Sequence, residues 1–171
     1  MKLLVDVDGV ISEYQFDKIV KSFFGVDLSP LAIYAYDLAD VLGVSNLAID
    51  LMFKEQVYGK PTFIENAIET LTEWKSKGFE ILIHSNRVKY MGIMRLFFWL
   101  RRYKIPFSGI DMNGQTVYDF HIDDSPAKLM NTNSKTKLLF SQPWNRQCLN
   151  VKNELVRVES WSEIRRLVDG L

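Results

Sequence analysis

The chain has 171 residues, 47% of them apolar and 25% charged, with a formal net charge of zero. That composition suits one globular domain with a real core and excludes a disordered chain. The charge balance argues against a strong nonspecific nucleic-acid footprint, while leaving room for a local basic patch. The single cysteine, Cys148, excludes an intramolecular disulfide, fits a reducing, cytoplasmic setting and reads as a buried structural thiol.

The opening run Lys2-Leu3-Leu4-Val5-Asp6-Val7-Asp8-Gly9-Val10 predicts a buried strand over 2–8 that ends in two carboxylates and a glycine. No basic segment followed by a long apolar run and a small-residue cleavage site precedes it, so the sequence shows no signal peptide. Residues 11–60 contain no convincing strand. Phe16, Ile19, Val20, Phe23 and Phe24 recur at helical spacing and stop at Gly25. Ser29-Pro30 predicts a second helix start, and Ser45 a cap for a helix carrying Leu47, Ile49, Leu51, Met52 and Phe53. The segment therefore predicts a helical insertion, with Tyr58-Gly59-Lys60-Pro61 as the return to the main domain.

From there helices and strands alternate. A helix is predicted over 64–77 with Gly78 closing it, a strand over 79–84, one helix over 88–103, and a short strand over 105–110. The stretch 91–100 is too short, and too interrupted by Arg95, to span a bilayer, so it reads as a core helix with its basic end at Arg101-Arg102. Further strands are predicted over 119–123, 137–140 and 155–158, with helices over 126–130 and 162–168. The alternation predicts an α/β fold, a Rossmann-like parallel sheet with helices on both faces. Its core is 1–10 and 61–171, and its helical cap is 11–60.

The second chemistry-bearing site on the chain is Asp123-Asp124, at the end of the strand that begins near Val117. Two strands that each end in a carboxylate pair point to a divalent metal at the mouth of a parallel sheet. Ligands bind open sheets at that edge, and hard oxygen donors suit magnesium. Asp6 and Asp8, two positions apart, share a face of extended chain. His84 and His121 read as buried neighbours of the strands rather than as catalytic bases.

In this order, Asp6-Val7-Asp8-Gly9-Val10, the strand-terminal Ser85 and Asp123-Asp124 resemble the motifs of the haloacid dehalogenase-like phosphohydrolases. The runs Phe120 to Pro126, Leu138 to Arg146 and Val158 to Ile164 resemble the 5′-nucleotidase (deoxyribonucleotidase) branch. The resemblance implies a Mg²⁺-dependent phosphomonoesterase acting on a small-molecule phosphate monoester, most directly a nucleoside or deoxynucleoside 5′-monophosphate. It implies Asp6 as nucleophile and Asp8 as general acid and base. Asp6, the Asp8 carbonyl, Asp123 and Asp124 would form the metal set, and Gly9, Ser85, Asn86 and Arg87 the phosphate site. A polynucleotide end phosphatase and a catalytically weak binding module are the alternatives. The loop before the acidic pair, Asp111 to Thr116, lacks the lysine that the family places there. Arg87 is the expected substitute, ahead of Lys60, whereas Lys104 belongs to the wrong edge of the sheet.

Overall fold

A computed structural model describes residues 1–13, 16–27, 38–56, 60–114, 116–146, 148 and 154–170. Its centre is a six-stranded sheet, all pairs parallel, in the order β3-β2-β1-β4-β5-β6. The strands are β1 (Lys2–Val5), β2 (Glu80–Ile83), β3 (Gly109–Ile110), β4 (Tyr118–Asp123), β5 (Ser134–Phe140) and β6 (Leu155–Val158). Leu3, Leu4 and Val5 have no exposed surface, as expected of a central parallel strand covered on both faces. β1 is shorter than predicted, but the Asp6 amide still donates to the Ile122 carbonyl at 3.0 Å and carries the β1–β4 pairing one residue further.

Pairing register sorts the side chains into two faces. Leu3, Val5, Ile81, Ile83, Phe120, Ile122, Leu138 and Phe140 enter the main core. There they meet α4 (Ala67–Ser76), α6 (Ile93–Arg102) and α8 (Trp161–Asp169). Trp74 and Trp161 pack at 6.0 Å between ring centres, and the Trp74 indole donates to Asp169 at 2.9 Å, which pins α4 to α8. The other face carries Leu4, His121, Asp123 and Leu139, and is covered partly by α7 (Pro126–Met130) through Leu129.

The helix predicted over 88–103 is two helices, α5 (Arg87–Met91) and α6, because Gly92 adopts φ 77° and ψ 159° between them. A backbone in that region cannot continue a right-handed helix, and glycine is the residue that adopts it without steric cost. Nor is α6 a fully buried core helix. Leu96, Trp99 and Leu100 face inward, whereas Met94 and Phe98 are each 62% exposed. The strand predicted over 105–110 shrinks to two residues, and Cys148 is half-buried rather than buried.

Within 11–60 the described helices are α1 (Phe16–Phe24), α2 (Leu38–Leu42) and α3 (Asn46–Gln56). Ser45 accepts from the Ala48 amide at the start of α3, as its residue type predicted. The helix start predicted at Ser29-Pro30 and the Tyr58-Gly59 return lie outside the described residues. Val20, Ala39, Ile49 and Met52 bury a second apolar cluster separate from the main core. The chain leaves and re-enters the sheet domain side by side: the Glu13 amide donates to Thr62 and the Ile64 amide to Ile11. Among the described residues, no helix is long and apolar enough to cross a membrane.

Candidate active site

β1 lies where the strand order reverses, with β2 and β3 on one side and β4 onward on the other. The crevice at such a point is open at the C-terminal ends of the strands, where ligands bind. Asp6, two residues past Leu4, and Asp123, at the end of β4, therefore arrive on the same face and at the same edge. Asp6, Asp123 and Asp124 are buried, and each offers a carboxylate oxygen within 4.8 Å of the others.

A group the sequence reading missed completes this cluster. Lys128 reaches back from α7 to place its Nζ 2.9 Å from Asp6 Oδ2 and 3.6 Å from Asp123 Oδ2. The lysine absent from the loop before the acidic pair is thus supplied by the helix after it. Local signals predict this placement. The Ser125 hydroxyl caps α7, Pro126 occupies its first turn, and the Asp123 side chain accepts from the Ser125 amide at 2.8 Å. A helical side chain leans toward the helix N-terminus, so a lysine in the first turn of a helix that starts at the site leans into the site.

Asp8 sits at the rim, half-buried, with its carboxylate gripped by Arg87. The guanidinium donates through Nε at 2.9 Å and Nη2 at 2.8 Å, and stacks 4.0 Å over Trp99. The structure thus places the arginine expected to bind phosphate on the second motif aspartate. Ser85 is buried, and its hydroxyl accepts from the Arg87 amide at 3.2 Å, while Asn86 is exposed at the start of α5. The Gly9 amide donates to the Ser12 carbonyl, closing a turn rather than facing the crevice. Gly9 is nevertheless required: at φ 78°, a Cβ there would come 2.6 Å from Asp124 Oδ2. Lys104, with φ 56°, lies between α6 and β3, on the chain entering that strand and so toward its N-terminal edge.

Burial and the Asp123 charge, only partly offset by Lys128, push the Asp6 carboxyl up to about 7. Burial, then the charges of Asp6 and Asp123, holds Asp124 well above the ordinary carboxylate range. Burial works against ionisation of Asp123 as well, yet Lys128, His121 and the Ser125 amide keep it below its usual value. His84 is held below its ordinary value by burial and by Lys128, as befits a neutral neighbour stacked on His121. Among the described residues, the carboxylates of this site outnumber the cations beside them. Asp6, Asp8, Asp123 and Asp124 face Lys128 and Arg87, four carboxylates against two cations, leaving a charge of −2 when all are ionised. Asp6 Oδ1 and Asp123 Oδ2 are buried without a hydrogen bond among the described residues, an arrangement that a hard divalent cation would satisfy.

A metal entering this cluster must displace the proton that Asp6 holds up to about pH 7, and burial favours the protonated form of Asp124 as well. Metal affinity is therefore expected to fall steeply as pH drops below about 7, with protons released on binding. Calorimetric titration with Mg²⁺ in two buffers of different ionisation heat checks this. Affinity that does not change between pH 5.5 and pH 8 would contradict it.

No curated protein matches the chain. Among solved structures, a haloacid dehalogenase-superfamily hydrolase from Ehrlichia chaffeensis shares the fold, with a TM-score of 0.59 at 12% identity, covering 99% of this chain and 96% of its own. A haloacid dehalogenase-like family hydrolase from Xanthomonas campestris matches more loosely, with a TM-score of 0.43 at 9% identity, covering 99% of this chain and 95% of its own. The family described as 5′ nucleotidase, deoxy (pyrimidine), cytosolic type C (NT5C) matches residues 1–170, so nearly the whole chain, carboxylate cluster included, falls within it. The protein belongs to that family and is a haloacid dehalogenase-like phosphatase of the 5′-nucleotidase kind.

Proposed function

We propose that the protein is a Mg²⁺-dependent phosphomonoesterase that works through an aspartyl-phosphate on Asp6, and that its substrates are nucleoside or deoxynucleoside 5′-monophosphates in the cytosol. The observation that carries this reading is the Asp6 carboxylate, buried beside Lys128 and within reach of Asp123 and Asp124 at the switch point of the sheet. Asp6, Asp123 and Asp124, with the backbone carbonyl of Asp8, would hold the metal. When bound, the metal supplies charge neutralisation that lets an anionic nucleophile approach an anionic phosphate.

Asp6 attacks phosphorus as the ester P–O bond breaks, and Asp8 gives its proton to the departing alkoxide. Water then attacks the phosphorus of the acyl phosphate, Asp8 takes the water proton, and inorganic phosphate leaves with Asp6 regenerated. Lys128 lies closest to the nucleophile and stabilises both the ionised Asp6 and the added phosphate charge. The Arg87 fork occupies both Asp8 oxygens, so Asp8 can take up and deliver a proton only once that fork is released. Ser85 and the amide of Asn86, at the start of α5, receive the phosphate oxygens. Residues 11–60 act as the cap that chooses the leaving group, since the sheet-edge residues meet only phosphate.

A panel of phosphate monoesters, assayed with Mg²⁺ and with chelator, tests the reading. Free nucleoside monophosphates are expected to exceed the same phosphate on an oligonucleotide end in kcat/KM, with activity lost on chelation. A preference for oligonucleotide ends that falls steeply with salt would replace the substrate assignment with a polynucleotide phosphatase. No turnover of any monoester would support a binding module. The loop before the acidic pair lacks a lysine, but Lys128 stands beside Asp6, which speaks against that module.

A further inference from the structure

We propose that Trp144 is a positioning residue that links metal binding at the carboxylate cluster to the seating of helices α1 and α3. The proposal rests on the metal-site reading above. Trp144 lies in the turn after β5, in the segment Gln142-Pro143-Trp144-Asn145, and is only 6% exposed. Its indole N–H donates to Asp124 Oδ2 at 2.7 Å in a buried hydrogen bond. The rest of the ring does not join the main core. It belongs to the apolar cluster of Val20 on α1, Ala39 on α2, and Ile49 and Met52 on α3. One side chain thus has its polar edge on a carboxylate of the site and its apolar body in the core of the helical segment.

The turn that carries Trp144 is braced so that the indole has little freedom of its own. Gln142 Nε2 donates to the Gly9 carbonyl at 2.7 Å, which ties the turn to the loop after β1. Asn145 Nδ2 donates to the carbonyls of Asp124 and Phe140, both at 2.8 Å, which ties it to the ends of β4 and β5. Gln142 and Asn145 also cap each other, and Arg157 donates to the Asn145 and Cys148 carbonyls. Close packing completes the wedge: a Cβ on Gly9 would approach Trp144 Cζ2 to 3.2 Å and Asp124 Oδ2 to 2.6 Å. A carboxylate held this way can rotate only if the indole moves, and the indole can move only if the helices around it repack. Groups that orient a metal-binding carboxylate set its affinity, and coupling between two such equilibria acts equally in both directions.

Packing alone predicts something different from coupling. Trp144→Phe keeps an apolar ring in the cluster and removes only the N–H, so a merely structural Trp144 would leave metal affinity unchanged. The experiment titrates the full chain with Mn²⁺, reading the free-ion electron paramagnetic resonance signal, for the parent and Trp144→Phe. It also follows hydrogen exchange of residues 16–24 and 46–56 with and without saturating Mn²⁺. The parent is expected to bind Mn²⁺ and to slow exchange in both helices when it does. Trp144→Phe is expected to bind about 10–100-fold more weakly, the usual cost of losing an orienting partner, and to lose the exchange response. A variant that binds as tightly as the parent would overturn the proposal. So would a parent whose α1 and α3 exchange is indifferent to Mn²⁺, a measurement that stands even if the variant fails to fold. A parent that binds no Mn²⁺ at all would instead remove the metal-site reading, and this coupling with it.

Discussion

Asp6→Asn is expected to abolish turnover while leaving the protein folded and, without metal, more stable than the parent. An amide is neither a nucleophile toward phosphorus nor an anionic metal ligand, so the loss should be roughly 10⁴-fold or more, the scale on which removal of an enzymatic nucleophile registers. The stability change follows from burial. The carboxyl titrates at about 7 in the folded protein, against an ordinary 3.8. A carboxyl raised on folding favours the folded state only while it stays protonated, so its contribution is lost as pH rises from about 4 to about 7. Asparagine has no such titration. In chelator at pH 8, Asp6→Asn should therefore melt several degrees above the parent, since each kcal/mol moves Tm by about 2–4 °C in a chain of this size. The advantage should shrink toward pH 5, and Mg²⁺ should raise the Tm of the parent more than that of the variant. Thermal melts at both pH values, with and without Mg²⁺, beside a turnover assay, check all three statements. Retention of a few per cent of activity would remove Asp6 from the nucleophile position.

Lys128→Met should be the next most damaging change. Methionine keeps the apolar stem and removes the charge 2.9 Å from Asp6, so the expected loss in kcat/KM is about 10²–10³-fold, the usual cost of one charge-stabilising donor. Lys104→Ala should leave kcat/KM within error, because its residue lies at the opposite edge of the sheet. Steady-state kinetics of both variants, with circular dichroism to confirm folding, decide the assignment. A near-normal Lys128→Met enzyme would mean that the buried ammonium serves only to balance Asp6 and Asp123 in the metal-free protein.

The parts of this fold that were legible in the sequence are those set by short-range pattern. Leu3 to Val5, Ile81 to Ile83 and Phe120 to Ile122 are apolar runs of strand length, and a parallel sheet buried on both faces leaves no other use for them. Asp6 and Asp123 could be placed at one edge because each ends such a run. Other features depend on contacts that no local pattern records. The stop at Gly92 was invisible because the apolar spacing continues through it, and only the backbone conformation there separates α5 from α6. Arg87 was expected on phosphate because of its distance from Ser85, but its fork meets Asp8, which is 79 residues away. Lys128 was not legible from the family pattern, which places a lysine in the loop before the acidic pair, although Ser125-Pro126 fixes the start of α7. Trp144 looked like a branch marker, and its bond to Asp124 is a tertiary fact.

Supplying the cation from α7 also changes what the edge of the sheet is asked to do. β3 is two residues long and pairs on one side only, the kind of element that opens first in local fluctuations. A lysine carried on the loop that leaves β3 would be unseated whenever that edge frayed. Here the carboxylates Asp123 and Asp124 and the ammonium of Lys128 lie within six consecutive residues, braced by Ser125, in the interior half of the sheet. Fraying at β3 can therefore proceed without dispersing the charges on which the site depends.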